Sequence, residues 1–297
     1  MGNYHLYRLA KFLAYRLPYK VSHAIVMFLC DMHFYLSKID RKAVEANLKV
    51  VTGQAQVPAS QVRAVFRNFG EYLLEFFTMT KRLSPKFIKN NVRFENIEYL
   101  NEVLQKGKGG ILVSAHVGNW EMGGTILPSI GYPLSVVALA HKDPRVNALF
   151  NAQREAFGAV VIQTDVAVRR VMEHLKQNRL VAILADRDFG HKGLMMNFLG
   201  RPTMMPKGAV YFSIKSGAPI IPVFFIRTKG DYFQIRVYPP IDPPHLTQAR
   251  PPDELTKELL NKYLPTIEAE IRRDPSQWLL FKEFWHHENS CCHPSAQ

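Results

Sequence analysis

Cysteine is scarce in this chain. Three residues, Cys30, Cys291 and Cys292, among 297 are too few for a disulfide framework and fit a reducing compartment. Long apolar runs are missing as well. The longest, Ala24 to Leu36, is interrupted by Asp31 and His33 and falls short of the roughly 20 residues that span a bilayer. Arg8, Lys11, Arg16 and Lys20 are spread through the first segment, and no small-residue cleavage site follows, so it does not read as a secretory signal peptide. Acidic residues are outnumbered, 25 Asp and Glu against 38 Lys and Arg, for a net charge of +13. Such an excess calls for an anionic partner, either nucleic acid or an acidic membrane surface. There is no internal repeat and no low-complexity tract.

What is present is a globular composition. Hydrophobic residues make up 47%, enough for a sizeable core and against disorder. The charge is uneven: residues 1–50 carry eight Lys/Arg and three Asp/Glu, residues 251–297 five and eight. A basic amino-terminal part rich in aromatics reads as a membrane-facing region rather than a nucleic-acid domain. With no spanning segment, the chain is expected to lie on a membrane.

The patterning divides the chain. Helical spacing of apolar residues runs from Tyr4 to Leu17, where Pro18 ends it, from Val21 to Leu36, and from Val62 to Met79. From Gly107 onward short apolar runs alternate with helical stretches. Strands are predicted at Gly110–Ala115, Leu134–Leu139, Ala159–Ile162, Leu180–Ala185, Pro219–Ile226 and Tyr232–Tyr238. Helices are predicted at Trp120–Ile130, Arg145–Phe157, Val166–Gln177, Lys207–Ser216 and about Pro252–Arg273. This alternation predicts an α/β fold, a mostly parallel central sheet flanked by helices, preceded by an amino-terminal helical region. The expected division is a helical membrane-associated region over 1–85, an α/β domain with a carboxyl-terminal helix over 86–285, and a polar tail over 286–297. Thr228–Asp231 can form a hairpin between the last two strands.

In open α/β sheets ligands bind outside the carboxyl ends of the strands. The segment GGILVSAHVGNWEMGG places His116 at such an end. Gly118 and Asn119 can turn the chain, Asn119 can cap the next helix, and Glu121 falls in its first turn. Separated by a turn, His116 and Glu121 can point into one mouth. An imidazole can take the proton of an attacking hydroxyl, and a carboxylate on its other ring nitrogen fixes the tautomer and stabilises the imidazolium. On spacing alone a second reading stands beside this: an ordinary strand-end histidine and a carboxylate complementing a helix dipole. No GxSxG segment offers a covalent nucleophile, which favours direct transfer. Asp186, Arg187 and Asp188 follow another strand end. Arg187 suits a phosphate or carboxylate, with a local Arg–Asp ion pair as the alternative. Two aspartates without further clustered acidic ligands argue against a metal, and the His286, His287, Cys291, Cys292, His293 cluster lacks a standard zinc spacing. No metal or other cofactor is expected. Met195, Met196, Met204 and Met205 suit either an acyl-chain tunnel or core filling. Trp278 and Trp285 suit core packing or a membrane interface.

Taken in order, HVGNWE, LADRDFG, PKGAVYFSIKSGAPIIPV and DPSQWLLFKEFW, with FRNFGEYLLEFF upstream, resemble the bacterial lipid A biosynthesis acyltransferase family, within the glycerolipid acyltransferases that share a His-x4-Asp/Glu motif. The resemblance covers nearly the whole chain. It implies an acyl thioester donor, acyl carrier protein or coenzyme A, and a phosphorylated glycolipid acceptor at the cytoplasmic face of a bacterial inner membrane. His116 would be the general base and Glu121 its partner, with Asn119, Arg154, Asp186, Arg187 and Asp188 binding substrate and Arg154 contacting a phosphate. The chain departs from its relatives in two ways: it has no FPEGT-like segment and no clear amino-terminal membrane span. A lysophospholipid or aminolipid acceptor is the alternative within this chemistry. A non-catalytic protein that binds membrane or nucleic acid by charge is the alternative outside it.

Overall fold

A computed structural model describes residues 2–188, 192–244 and 251–285. The polar tail with its His/Cys cluster and residues 245–250, ahead of the last helix, lie outside the described residues. Four helices come first: α1 (Gly2–Arg16), α2 (Tyr19–Leu36), α3 (Lys38–Thr52) and α4 (Ala59–Arg82). Three match the apolar spacing. The helix α3 was not anticipated, although Val44, Leu48 and Val51 are buried in it at helical spacing. Its ends are marked as well. The Ser37 hydroxyl accepts from the Asp40 amide, and Gly53, at φ +68°, ends it in the left-handed region that glycine tolerates.

Helices α2 and α4 approach closely at Gly70, where an added Cβ would lie 2.4 Å from Cys30 Sγ. Asp31, the charge that breaks the longest apolar run, accepts from both Arg63 and Arg67 of α4. On their other sides α1 and α2 leave large apolar residues exposed, among them Leu6, Leu9, Phe12, Phe28, Tyr35 and Leu36.

The α/β body follows as α5 (Pro85–Asn91), β1 (Val92–Glu95), α6 (Glu98–Gln105), β2 (Gly110–Ser114), α7 (Trp120–Ser129), β3 (Leu134–Ala138), α8 (Pro144–Glu155), β4 (Val160–Gln163), α9 (Ala167–Lys176), β5 (Leu180–Leu184), β6 (Leu194–Phe198), β7 (Arg201–Met205), α10 (Gly208–Ser216), β8 (Ile220–Lys229), β9 (Tyr232–Val237) and α11 (Pro252–Arg273). Seven strands form one sheet in the order β1-β9-β8-β2-β5-β3-β4. All neighbours are parallel except β8 and β9, which the Gly230 turn joins as the anticipated hairpin. The edge strand β1 escaped notice because its four residues, VRFE, carry no apolar run. The β6–β7 hairpin lies outside the main sheet. It buries Met196 and Met205 in the core and leaves Met195 and Met204 exposed, so these four methionines pack a hairpin and do not line a tunnel.

Alternation along the strands separates two cores. Ile111, Val113, Val181, Phe224 and Ile226 face Val171, Val210, Leu259 and Leu260 on one side. Leu112, Leu180, Val223 and Phe225 face Met122, Ile126, Phe150 and Phe76 on the other. Both faces are covered, which is why these strands read as near-continuous apolar runs. Phe76 belongs to α4, so this amino-terminal helix is part of the second core. Trp278 and Trp285 are both buried, Trp278 against Phe284.

Candidate active site

The site forms where β2 and β5 end side by side. Their parallel register pairs Ser114 with Leu184, so two residues further on His116 and Asp186 meet. His116 Nδ1 lies 2.7 Å from Asp186 Oδ1, and the His116 backbone amide donates to Oδ2 over 3.1 Å. The Trp278 indole Nε1–H donates to the same Oδ2, also 3.1 Å. Asp186 is fully buried. Burial alone would raise its carboxyl, but the charge and hydrogen bond of His116, with Arg187 and the Trp278 indole, hold it well below the usual carboxylate range. With Nδ1 engaged, Nε2 is the ring nitrogen left to take up a proton.

The chain beyond His116 is held on both sides. The Leu279 amide donates to the His116 carbonyl, the Gly118 amide to the Gln277 carbonyl, and the Asn119 amide to the Phe225 carbonyl. Gly118, at φ +67°, passes so close to β8 that a Cβ would stand 2.1 Å from the Phe225 oxygen, so only glycine fits. Asn119 caps α7 as expected, its Oδ1 accepting from the Met122 amide. Its Nδ2 donates to Glu75 Oε2 at 2.6 Å, and Glu75 in turn accepts two hydrogen bonds from Arg227. Asn119 is 0% exposed and away from the cavity wall; its amide serves the turn.

Glu121 does not reach the imidazole, and here the expected pairing is corrected. Arg154 of α8 donates to both of its carboxylate oxygens, at 2.9 and 2.6 Å. Burial would lower the Arg154 guanidinium, but Glu121 reverses this and leaves it raised. The first turn of α7 points Glu121 toward α8, while the sheet register delivers Asp186 to His116. Arg154 is thus engaged in an ion pair, although both partners line the cavity. Arg187 sits behind Asp186, with its Nη2 donating to the Leu279 carbonyl and its Nε buried without a partner. Asp188 accepts from the Gly193 amide. Neither lines the cavity.

That cavity encloses about 450 Å³ between the second face of the sheet and helices α7 and α8. His116, Trp120, His141 and Arg154 lie on its wall, with Leu112, Leu127, Leu134 and Phe225 among its apolar lining. The Trp120 ring meets His116 edge-on at 4.9 Å and stacks on Tyr72 at 4.6 Å. Burial, then Arg154, lowers the pKa of His141. No group of three or more metal-ligating side chains occurs among the described residues. An apolar well with a histidine–aspartate pair at its wall suits an alkyl chain whose polar end reacts at the imidazole. Sequence reasoning missed Glu75, Arg227 and Trp278 as supports of this site. Glu75 was visible as a charge inside the apolar segment FRNFGEYLLEFF, and Trp278 within DPSQWLLFKEFW.

Known proteins resemble this chain over most of its length. Residues 3–287 match the bacterial lipid A biosynthesis acyltransferase family. A phosphatidylinositol mannoside acyltransferase of Mycolicibacterium smegmatis is 28% identical over 245 residues, covering 80% of this chain and 77% of that protein. Its counterpart in Mycobacterium tuberculosis is 28% identical over 247 residues, covering 80% and 75%. A lipid A biosynthesis acyltransferase of Haemophilus influenzae is 25% identical over 142 residues, 48% of this chain and 45% of that protein. The chain therefore belongs to the bacterial lipid A biosynthesis acyltransferase family and is an acyltransferase acting on lipid-type substrates.

Proposed function

We propose that the protein moves a fatty acyl group from a thioester of acyl carrier protein or coenzyme A onto a sugar hydroxyl of a phosphorylated glycolipid, with His116 as general base. The observation that carries this is the His116–Asp186 hydrogen bond at the wall of an apolar cavity. Asp186 holds the proton on Nδ1, so Nε2 can accept the hydroxyl proton as the oxygen attacks the thioester carbon. The C–S bond then breaks, and the leaving thiolate takes the proton back from the imidazolium. Asp186 stays ionised throughout. Glu121 and Arg154 act as positioning residues that tie α7 to α8 along the cavity. Relatives named for a phosphatidylinositol mannoside and for lipid A biosynthesis support a glycolipid acceptor.

The protein would work on the cytoplasmic face of the inner membrane, resting on it through α1 and α2. Exposed Leu6, Leu9, Phe12 and Phe28 share these helices with Arg8, Lys11, Arg16 and Lys20, a combination suited to an anionic interface. No helix among the described residues is long and apolar enough to cross a membrane. Helix α1 packs beside the cavity wall, Tyr7 meeting Phe150 edge-on at 5.5 Å, which would bring the bilayer near the well. The test is acyl transfer by His116→Ala. The rate should fall by a factor on the order of 10²–10⁴ with the fold intact, and no acylated protein should accumulate with donor alone. Full transfer by folded His116→Ala would end the proposal.

A further inference from the structure

Two adjacent glycines in α7 do different things. Both line the cavity. A Cβ added at Gly123 would stand 3.0 Å from Phe225 Cβ, so this glycine lets the helix press onto β8. A Cβ added at Gly124 would meet only Val136 Cγ1, at 3.5 Å, an ordinary contact across to β3. Gly124 therefore faces open cavity, between a helix and a strand close enough for one side chain to bridge.

Its depth follows from helix geometry. Trp120, Gly124 and Leu127 share one face of α7 and all line the cavity. At 1.5 Å per residue Gly124 lies about 6 Å and Leu127 about 10 Å below Trp120, whose ring touches His116. Leu127, with Leu112 and Leu134, all buried, closes the lower end. A zigzag alkyl chain advances roughly 1.25 Å per carbon, given single bonds of about 1.5 Å. A chain entering at His116 thus passes Gly124 after about five carbons and reaches Leu127 after about eight.

We propose that Gly124 is a specificity-determining residue for acyl-chain length, its missing side chain keeping the well open below the fifth carbon or so. This rests on reading the cavity as the acyl site. A leucine at this position would lay its isobutyl group against Val136 and close the bore. An alanine would narrow it, and alanine favours a helix over glycine, so the fold is not put at risk.

The test compares binding of S-butanoyl- and S-octanoyl-pantetheine, which end above and below Gly124 within the well and carry the thioester arm common to both carrier types, by equilibrium dialysis. Wild type should prefer the longer chain steeply, since each methylene withdrawn into an apolar well is worth about fourfold. Gly124→Leu should lower that preference by at least about 30-fold, and Gly124→Ala by less. An unchanged preference in both folded variants, beside a steep wild-type preference, overturns the role of Gly124 alone. A wild type that does not discriminate between the two chains overturns the acyl reading of the cavity and the proposal with it.

Discussion

Replacing Asp186 by asparagine separates the two carboxylates that compete for the role of histidine partner. Oδ2 accepts two N–H groups, from the His116 backbone and the Trp278 indole, while Oδ1 faces His116 Nδ1. An amide at this position must keep its oxygen toward the two donors, because its NH2 there would oppose both. The NH2 then faces Nδ1 and donates to it. That forces the imidazole proton onto Nε2, the nitrogen needed as base. Asp186→Asn thus preserves shape and packing while installing the wrong tautomer, an effect on the order of 10³–10⁴ in kcat where a buried aspartate orients a catalytic histidine. In free energy this is about 4–5.5 kcal/mol of transition-state stabilisation. The assay is acyl transfer at saturating donor, beside near-ultraviolet circular dichroism to confirm the fold. A folded Asp186→Asn within about tenfold of the wild-type kcat would refute the tautomer argument.

Glu121→Gln should act first on stability: leaving Arg154 buried without its charge partner costs about 3–5 kcal/mol, read as a drop in Tm, and a variant of unchanged Tm would show that the pair is not needed structurally. Acidification should weaken the fold through Asp186, whose depressed carboxyl contributes stability fully above its unfolded value of about 3.9 and loses it as pH falls toward the lower folded value. The gap in urea midpoint between wild type and Asp186→Asn should therefore shrink below about pH 4, and a constant gap down to pH 2 would contradict this. Leu9→Ser with Phe28→Ser should leave folding unchanged, since both side chains are exposed. Sedimentation with anionic vesicles should nevertheless weaken by roughly tenfold or more for each inserted side chain lost and weaken further with salt; equal binding by wild type and variant would count against this face.

Much of the fold is a local property of the chain. Apolar alternation and strand-length runs between helical stretches placed β2, β3, β5, β8 and β9 within a residue or a few of their observed bounds, because each buried face imposes its own period on neighbouring residues. The edge strand β1, with one buried residue of four, carried no such period and became visible only against its partner β9. The site divides in the same way. His116 at a strand end and Asn119 as a cap were legible from a dozen consecutive residues. The carboxylate that serves His116 was not, since Glu121 is near in sequence while Asp186 is near in space. That choice belongs to the parallel register of β2 on β5, which sets Ser114 beside Leu184 and brings together side chains 70 positions apart. The well beneath them exists only once α7, α8 and the sheet are packed, because a cavity is a property of facing surfaces and no single segment contains it.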